Sequence, residues 1–348
     1  MRLSIVDLGT VAPDSTESDA LADALETARH AERHGFHRIW FAEHHLTLSG
    51  ASHNPELMIA AAAAVTSRIR VGSGAVLMNH YSPFKVAEVF KQLEVMTPGR
   101  IDLGMGRANA GPAIDLALQQ NRQNPSQPDH QQQVLEVLAW LYEAFPEDHA
   151  FHGHKMAPSV ASNPQTWLLG SSPNGSNLAA GLGIGYTFAG FINPPAAAAA
   201  MRQYRSAFRP QGFGLEHPRA ILSVNVTVGE TTEEGRYLAG MPKGYYARLA
   251  RATRVQDAGK VMVPTAEAAA AEMTQAEKDA PTEIVDGQWP KFVAGGPEDV
   301  RATLEQMAEE SQADEIMIQD LISDPEIRRR SHELLAEAFD LPRDQPRL

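Results

Sequence analysis

Short apolar runs alternate along the chain with segments whose apolar residues recur every three to four positions. That is the pattern of strands alternating with amphipathic helices in a parallel α/β fold. The first run, Leu3 to Leu8, ends at Gly9, and a polar loop leads into a stripe of Leu21, Ala24, Leu25, Ala28 and Ala31. Gly35 stops that helix, as glycine does where the backbone turns left-handed. Phe36 to Ala42 reads as the second strand, Pro55 to Thr66 as a helix and Ile69 to Leu77 as the third strand. Ser82 and Pro83 suit the cap and first turn of a helix striped by Val86, Val89, Phe90 and Leu93. After the turn at Pro98-Gly99 comes the fourth strand, Arg100 to Gly106.

The stretch 108–164 is rich in Gln, Asn, Pro and His, with one helix near Gln131 to Ala144, and reads as an insertion. Strands five to seven are Thr166 to Leu169, Ile184 to Ala189 and Ala220 to Val228, and helices follow near Pro173 and through the alanine run to Phe208. A second irregular, lid-like stretch spans 253–294; a loop of this length is usually functional or mobile. A helix from Pro297 then leads to strand eight, Ile316 to Gln319, and a last helix is striped by Ile327, Ser331, Leu334, Leu335 and Ala338. Eight strand–helix units predict one domain over 1–348, a (β/α)8 TIM barrel with insertions after strands 4 and 7. A doubly wound sheet shares the alternation, and the count of eight favours the barrel.

Composition narrows the chemistry. With 43% hydrophobic and 21% charged residues, the 348-residue chain can bury a large core. The net charge of −13 argues against nucleic acid, which is held by basic surfaces. No cysteine is present, so disulfides, thiolate catalysis and cysteine-ligated metal are excluded. Neither a signal-like start nor an apolar run long enough for a bilayer occurs, which predicts a cytoplasmic protein without a membrane partner.

In a barrel, chemistry gathers at the carboxyl ends of the strands. Strand two runs into Glu43, His44 and His45, with His53 nearby. Neighbouring strand residues face opposite ways and no H-E-x-x-H helix exists, while His152 and His154 fall in the irregular insertion, so no metal is expected. An acid–base histidine is the functional reading of His44, since imidazole titrates near neutrality. Gly72, Ser73, Gly74 and Ala75 replace bulky residues in strand three, either for a ligand near the backbone or for a large neighbouring side chain. Strand four ends at Arg107, whose forked donors suit a phosphate or carboxylate. Gly170, Ser171, Ser172, Asn174 and Gly175 gather after strand five at a helix start, where free N–H groups favour anions. Gly181, Gly183 and Gly185 lie between helix and strand, the wrong order for a dinucleotide fingerprint, and read as a turn.

These residues resemble the bacterial luciferase-like flavin-dependent monooxygenases over nearly the whole chain. The similar segments are Phe41-Ala42-Glu43-His44-His45, Ser67 to Gly74, Pro98 to Arg107, Gly295-Gly296-Pro297-Glu298 and Asp314-Glu315-Ile316-Met317. The resemblance implies a barrel that binds FMN, usually reduced FMN from a separate flavin reductase. Through it, Arg107 and the Ser171–Ser172 loop hold the phosphate, and Gly74 and Ala75 lie under the isoalloxazine with a non-proline cis peptide between them. His44 is then the acid–base residue, and reduced flavin reacts with O2 to a C4a-peroxide that oxygenates a small organic substrate while the protein excludes water. The 253–294 stretch matches the family's mobile lid. Luciferase's strand-four cysteine and phosphate-loop acid are missing, Ser171 standing at the latter, so light emission and a long-chain aldehyde are not implied. The family also holds enzymes using F420 and flavin-binding proteins without turnover, and these remain the alternatives. Members commonly dimerise through the second and third helices; the small side chains Ala60 to Ala64 allow close approach there, so a homodimer is expected, although they could equally face the barrel.

Overall fold

Each apolar run buries one row of side chains inward and another outward, and it satisfies its backbone by pairing with a parallel neighbour. The structure, a computed structural model, describes residues 1–107, 112–118, 129–156 and 162–342. Its strands are β1 (Arg2–Asp7), β2 (Arg38–Phe41), β3 (Arg70–Ser73), β4 (Val76–Leu77), β5 (Ile101–Gly106), β6 (Gln165–Gly170), β7 (Gly185–Ala189), β8 (Ala220–Val228), β9 (Phe292–Gly295) and β10 (Glu315–Gln319). Pairing runs β1-β2-β3-β5-β6-β7-β8-β10 and returns to β1, with every pair parallel. This closed ring of eight is the predicted (β/α)8 barrel and rules out the doubly wound sheet. Helices surround it, among them Glu17–Arg33, Pro55–Val65, Pro83–Met96, His130–Tyr142, Pro173–Leu182, Pro194–Ala207, Pro297–Ser311 and Pro325–Ala338.

Two stretches differ from the sequence reading. The expected irregular stretch 253–294 contains the short helices Val255–Ala258, Ala266–Glu272 and Gln275–Lys278, and β9 begins within it. Thr265 and Thr274 cap the latter two helices, which are too short to show an amphipathic period. β9 pairs with the far half of β8, from Asn225↔Phe292 to Val228↔Gly295, where β8 has left the ring. The chain between β8 and this stretch forms the helices Thr232–Leu238 and Gly240–Arg251, which the reading had not marked. In the 108–164 insertion, the helix His130–Tyr142 is capped by Asp129, whose carboxylate accepts from the N–H groups of Gln131 and Gln132. Parts of that insertion, 108–111, 119–128 and 157–161, lie outside the described residues.

The barrel interior is charged at its lower end. Arg38 opens β2 with 1% of its surface exposed; it donates to Asp102 at 2.7 Å and to both oxygens of Glu315 at 2.7 and 3.0 Å. Asp102 also accepts from Arg70 at 2.6 Å and from Trp40 Nε1 at 2.9 Å, and Ser4 donates to Glu315. Burial alone would push both carboxyls up, but the guanidiniums hold Asp102 and Glu315 below the usual carboxylate range. Above this layer Trp40 and Trp167 meet edge to face, 5.7 Å between centroids. Glycines give them room: a Cβ on Gly72 would stand 2.7 Å from Trp40 Nε1, and one on Gly185 2.3 Å from Trp167. Gly72 therefore serves a neighbouring side chain, which settles one of the two readings left open for strand three.

Because Asp102 joins three side chains inside the barrel, Asp102→Ala leaves the buried Arg38 guanidinium, and the half-buried Arg70 beside it, short of a counter-charge. The expected loss is about 3–5 kcal/mol of unfolding free energy by chemical denaturation, and a loss below about 1 kcal/mol would contradict the account.

Candidate active site

Strand three does not run unbroken to Leu77. Gly72 pairs with Asp102 and Val76 with Met105, so four steps along one strand oppose three along the other. The extra residue is a bulge, and the Gly74–Ala75 peptide within it is cis. At the gap Ser73 Oγ donates to the Gly104 carbonyl at 2.9 Å and accepts from the Gly104 N–H at 3.0 Å, replacing the ladder. Only glycine fits at 104, since a Cβ would stand 2.1 Å from the Ser73 carbonyl oxygen. The ladder is thus interrupted at Gly74–Ala75, where Gly74 lies against Val6 and Trp40 and Ala75 against Gly106.

The loop after β2 is tied to this bulge by Glu43, which is 3% exposed. Its carboxylate accepts from His45 Nε2 at 2.8 Å, from Tyr81 OH at 2.8 Å and from the Leu77 N–H at 2.9 Å. Burial and then the charge of Glu43 push the Tyr81 phenol well above its ordinary range, so it stays protonated and donates. The rest of the loop is laced to the one after β1. Ser52 Oγ donates to the Ala42 carbonyl at 2.6 Å, the Ala51 N–H to Gly9 at 2.8 Å, and Thr10 and Gly50 form an antiparallel bridge. From the far side the lid-like stretch reaches the same loop, where the Leu48 N–H donates to the Gly259 carbonyl at 2.8 Å.

His44 is held at the centre of this lacing while its ring is exposed. Its N–H donates to Ser52, and its carbonyl accepts from His53 Nδ1 at 2.7 Å. Its three neighbours do not converge on one point: His45 turns to Glu43, and His53 turns to the backbone. Desolvation by the surrounding protein, and then the charges of His45 and His53, push its pKa down to about 4. The imidazole is therefore neutral at physiological pH.

On the opposite side of the mouth β5 and β6 end together. Met105 pairs with Leu168, which places Arg107 level with Gly170 two residues further on. The Arg107 side chain is exposed and has no ion-pair partner among the described residues, and its carbonyl accepts from Asn79 Nδ2 at 2.9 Å. Ser172 occupies the N-cap of Pro173–Leu182 without its side chain bonding the helix; Pro173 has no N–H and the Gly175 N–H turns back to the Ser172 carbonyl at 3.2 Å, so the Ser172 hydroxyl is the group left open at this helix start. Asn193 donates to the Ser171 carbonyl and Tyr186 OH to the Ser172 carbonyl, at 3.0 and 3.2 Å, which fixes the loop from beneath. Asn174 is exposed, and Gly170 and Gly175 pack against the Tyr186 ring, leaving the helix end uncovered. Of the later glycines read as a turn, Gly183 is one, the left-handed cap of this helix at φ +65°, while Gly181 lies within the helix and Gly185 opens β7.

The structure brings His44 to one side of the mouth, with Gly74 and Ala75 at the bulge beside it. Arg107 and the Gly170–Gly175 loop lie on the other side. Sequence reasoning missed the clamp itself, Tyr81 above all, because a tyrosine just before a helix carries no spacing signal. It also missed the inward row Thr187, Ser223, Asn225 and Gln319 above the tryptophans, whose side chains hold polar atoms with no protein partner among the described residues. Those atoms are sealed from bulk solvent, and ordered water is what satisfies such groups. A cleft of about 510 Å³ between Arg2 and Arg219 lies at the opposite, amino-terminal end of the strands, and another of about 560 Å³ lies beside Arg248 and Glu272 in the segment after β8.

The loop carrying His44, the exposed Arg107 and the helix start after Gly170 thus share the carboxyl end of one barrel, the end at which barrel enzymes keep their chemistry. Sequence comparison is specific: a profile described as luciferase-like monooxygenase matches residues 1–315. The chain belongs to the luciferase-like monooxygenase family of oxidoreductases. YceB of Bacillus subtilis is 36% identical over 340 residues, covering 97% of this chain and 99% of that protein. The N-acetyl-S-alkylcysteine monooxygenase of Bacillus subtilis is 32% identical over 342 residues, covering 97% and 98%. The crystal structure of apo-MsnO8 superposes with a TM-score of 0.86 at 37% identity, covering 98% of both chains. At 19% and 13% identity, an FMN complex of a diketocamphane monooxygenase from Pseudomonas putida and an F420-dependent alcohol dehydrogenase show the fold alone, with TM-scores of 0.69 and 0.64.

The His44 ring should titrate by NMR with a midpoint well below its ordinary 6.5. Between about pH 4 and 6.5 the unfolded chain then binds more protons at this site than the folded one, so its contribution to stability is complete above 6.5 and fades as pH falls towards 4. A midpoint at or above about 6 would contradict the desolvation of the ring.

Proposed function

We propose that this chain is the oxygenating component of a two-component monooxygenase, taking reduced FMN from a separate flavin reductase and acting with O2 on a small organic substrate. The observation that carries the reading is the pairing, across one mouth, of a neutral histidine with a set of unsatisfied anion donors. Arg107, the Ser171 and Ser172 hydroxyls and Asn174, on the loop from Gly170 to Gly175, are the groups that would hold the phosphate. Their chemistry fits a dianion, because a guanidinium and hydroxyl donors at a helix start both favour it. Gly74 and Ala75 give the flat ring a floor with no bulky side chain, and this supports FMN over a cofactor that needs no such platform.

Bound reduced FMN supplies the electrons that activate oxygen for insertion of one oxygen atom into the substrate. The chain's part is to orient and to handle protons. His44, neutral at working pH, accepts a proton at a ring nitrogen and returns it, and the Glu43 clamp ties the loop that carries it to the backbone just past Gly74–Ala75. The loops after β1 and β2, with the 253–294 stretch against them, form the wall that excludes water. Since a relative at 32% identity is an N-acetyl-S-alkylcysteine monooxygenase, a thioether of that type is the first substrate to assay. F420 in place of FMN, or flavin binding without turnover, are the outcomes that would replace this reading.

The same proposal includes a homodimer through the helices Pro55–Val65 and Pro83–Met96. Ala62 and Ala63 face the barrel and are buried, so the contact falls to exposed Leu57, Ala64, Val95 and Met96 instead. Sedimentation should show a dimer that Leu57→Glu dissociates, and a concentration-independent monomer would contradict it.

FMN should raise the apparent melting temperature and F420 should not. Arg107→Ala should weaken FMN binding by about tenfold or more. His44→Asn should keep FMN affinity within about threefold while abolishing thioether oxygenation in the presence of a reductase. Stabilisation by F420 alone, or wild-type turnover in His44→Asn, would overturn the assignment.

A further inference from the structure

A second cluster of chemistry-bearing side chains lies outside the barrel, remote from the mouth. His30 and His34 stand one turn apart near the end of helix Glu17–Arg33, and Glu333 faces them from helix Pro325–Ala338. One ligand atom from each residue lies within 4.8 Å of the other two. The two imidazoles stack with centroids 4.4 Å apart, and His34 Nε2 is 3.9 Å from Glu333 Oε1. His30 is 4% exposed, and its Nε2 has no hydrogen-bond partner among the described residues. A buried nitrogen left without a partner costs about 1–3 kcal/mol, so this arrangement is unfinished as a hydrogen-bonded one.

We propose that His30, His34 and Glu333 form a binding site for one divalent transition metal of the zinc class. Two imidazoles and a carboxylate are the ligand types such ions prefer, whereas magnesium and calcium take oxygen donors. Tetrahedral ligands at about 2.0–2.1 Å from a zinc stand roughly 3.3 Å from one another, so side-chain rotations of about an ångström close the set around an ion. Glu333 is also prepared from behind: its Oε2 accepts from Arg330 Nη1 at 2.9 Å, which orients the carboxylate and leaves Oε1 for the metal. Glu333 and His34 are half-buried, which gives an ion a path in and leaves a coordination position for water.

The location gives the site its role. The first and last helices flank the seam where β1 pairs with β10, the closure between the two ends of the chain. An ion ligated by both helices staples residues separated by about 300 positions and binds only the folded chain, so it adds to stability by mass action. The site needs no flavin, and its test is independent of the flavin reading.

Full-length protein stripped with EDTA is titrated with zinc alone, followed by calorimetry and by melting temperature, and with cobalt, followed by its visible spectrum. One equivalent should bind with Kd at or below about 10 µM and raise the melting temperature by several degrees. His34→Asn should weaken zinc binding by about 30-fold or more, and Glu333→Gln by about tenfold, each melting in EDTA close to the parent. Absence of binding at 100 µM zinc, or parental affinity in both variants, would overturn the site. Should His34→Asn fail to fold, Glu333→Gln alone decides, because its side chain is isosteric.

Discussion

The mouth of this barrel depends on one buried carboxylate. Glu43 accepts three bonds, from a histidine of its own loop, from a tyrosine at the next helix start and from the backbone just past the cis peptide. A charge in that position is tolerated because all three donors converge on it, and removing any of them would leave it undersatisfied. The clamp sets two otherwise independent pieces in fixed register. One is the loop that carries His44, and the other is the bulged strand that offers Gly74 and Ala75. Position, more than any strength of interaction, is what it contributes to chemistry.

Below the mouth the interior is arranged by size and charge. Arg38, Asp102 and Glu315 fill the lower end with a closed set of ion pairs, and the two indoles above them seal it from the mouth. Gly72 and Gly185 exist to make room for those rings. The glycines of β5 do a different job, since Gly104 lets the Ser73 carbonyl approach within the bulge. The rigid lower barrel supports a small-residue floor, and binding side chains are left to the strand ends, where loops can place them.

Much of this was legible in the chain. The eight ring strands announce themselves as short, mostly apolar runs between amphipathic helix patterns, and Arg107 and the Ser171–Gly175 loop are visible as the residues that follow two of them. The break in strand three was visible only as Gly72 to Ala75, where a one-residue bulge and a packing accommodation look alike. Ala62 and Ala63 could not be oriented from sequence, since an all-alanine stretch has no polar face to mark the outside. β9 escaped because four residues beside a long β8 make no period. The His30–His34–Glu333 cluster escaped because its members are some 300 residues apart and meet only when the seam closes.

The most direct test of the central claim is a crystal structure of the protein with FMN. The phosphate should lie between the Arg107 guanidinium and the Ser171–Asn174 loop, with the ring on Gly74–Ala75 and His44 beside it. Density for the phosphate anywhere else, such as the arginine-lined cleft beneath the barrel, or a ring that does not touch Gly74–Ala75, would contradict the claim.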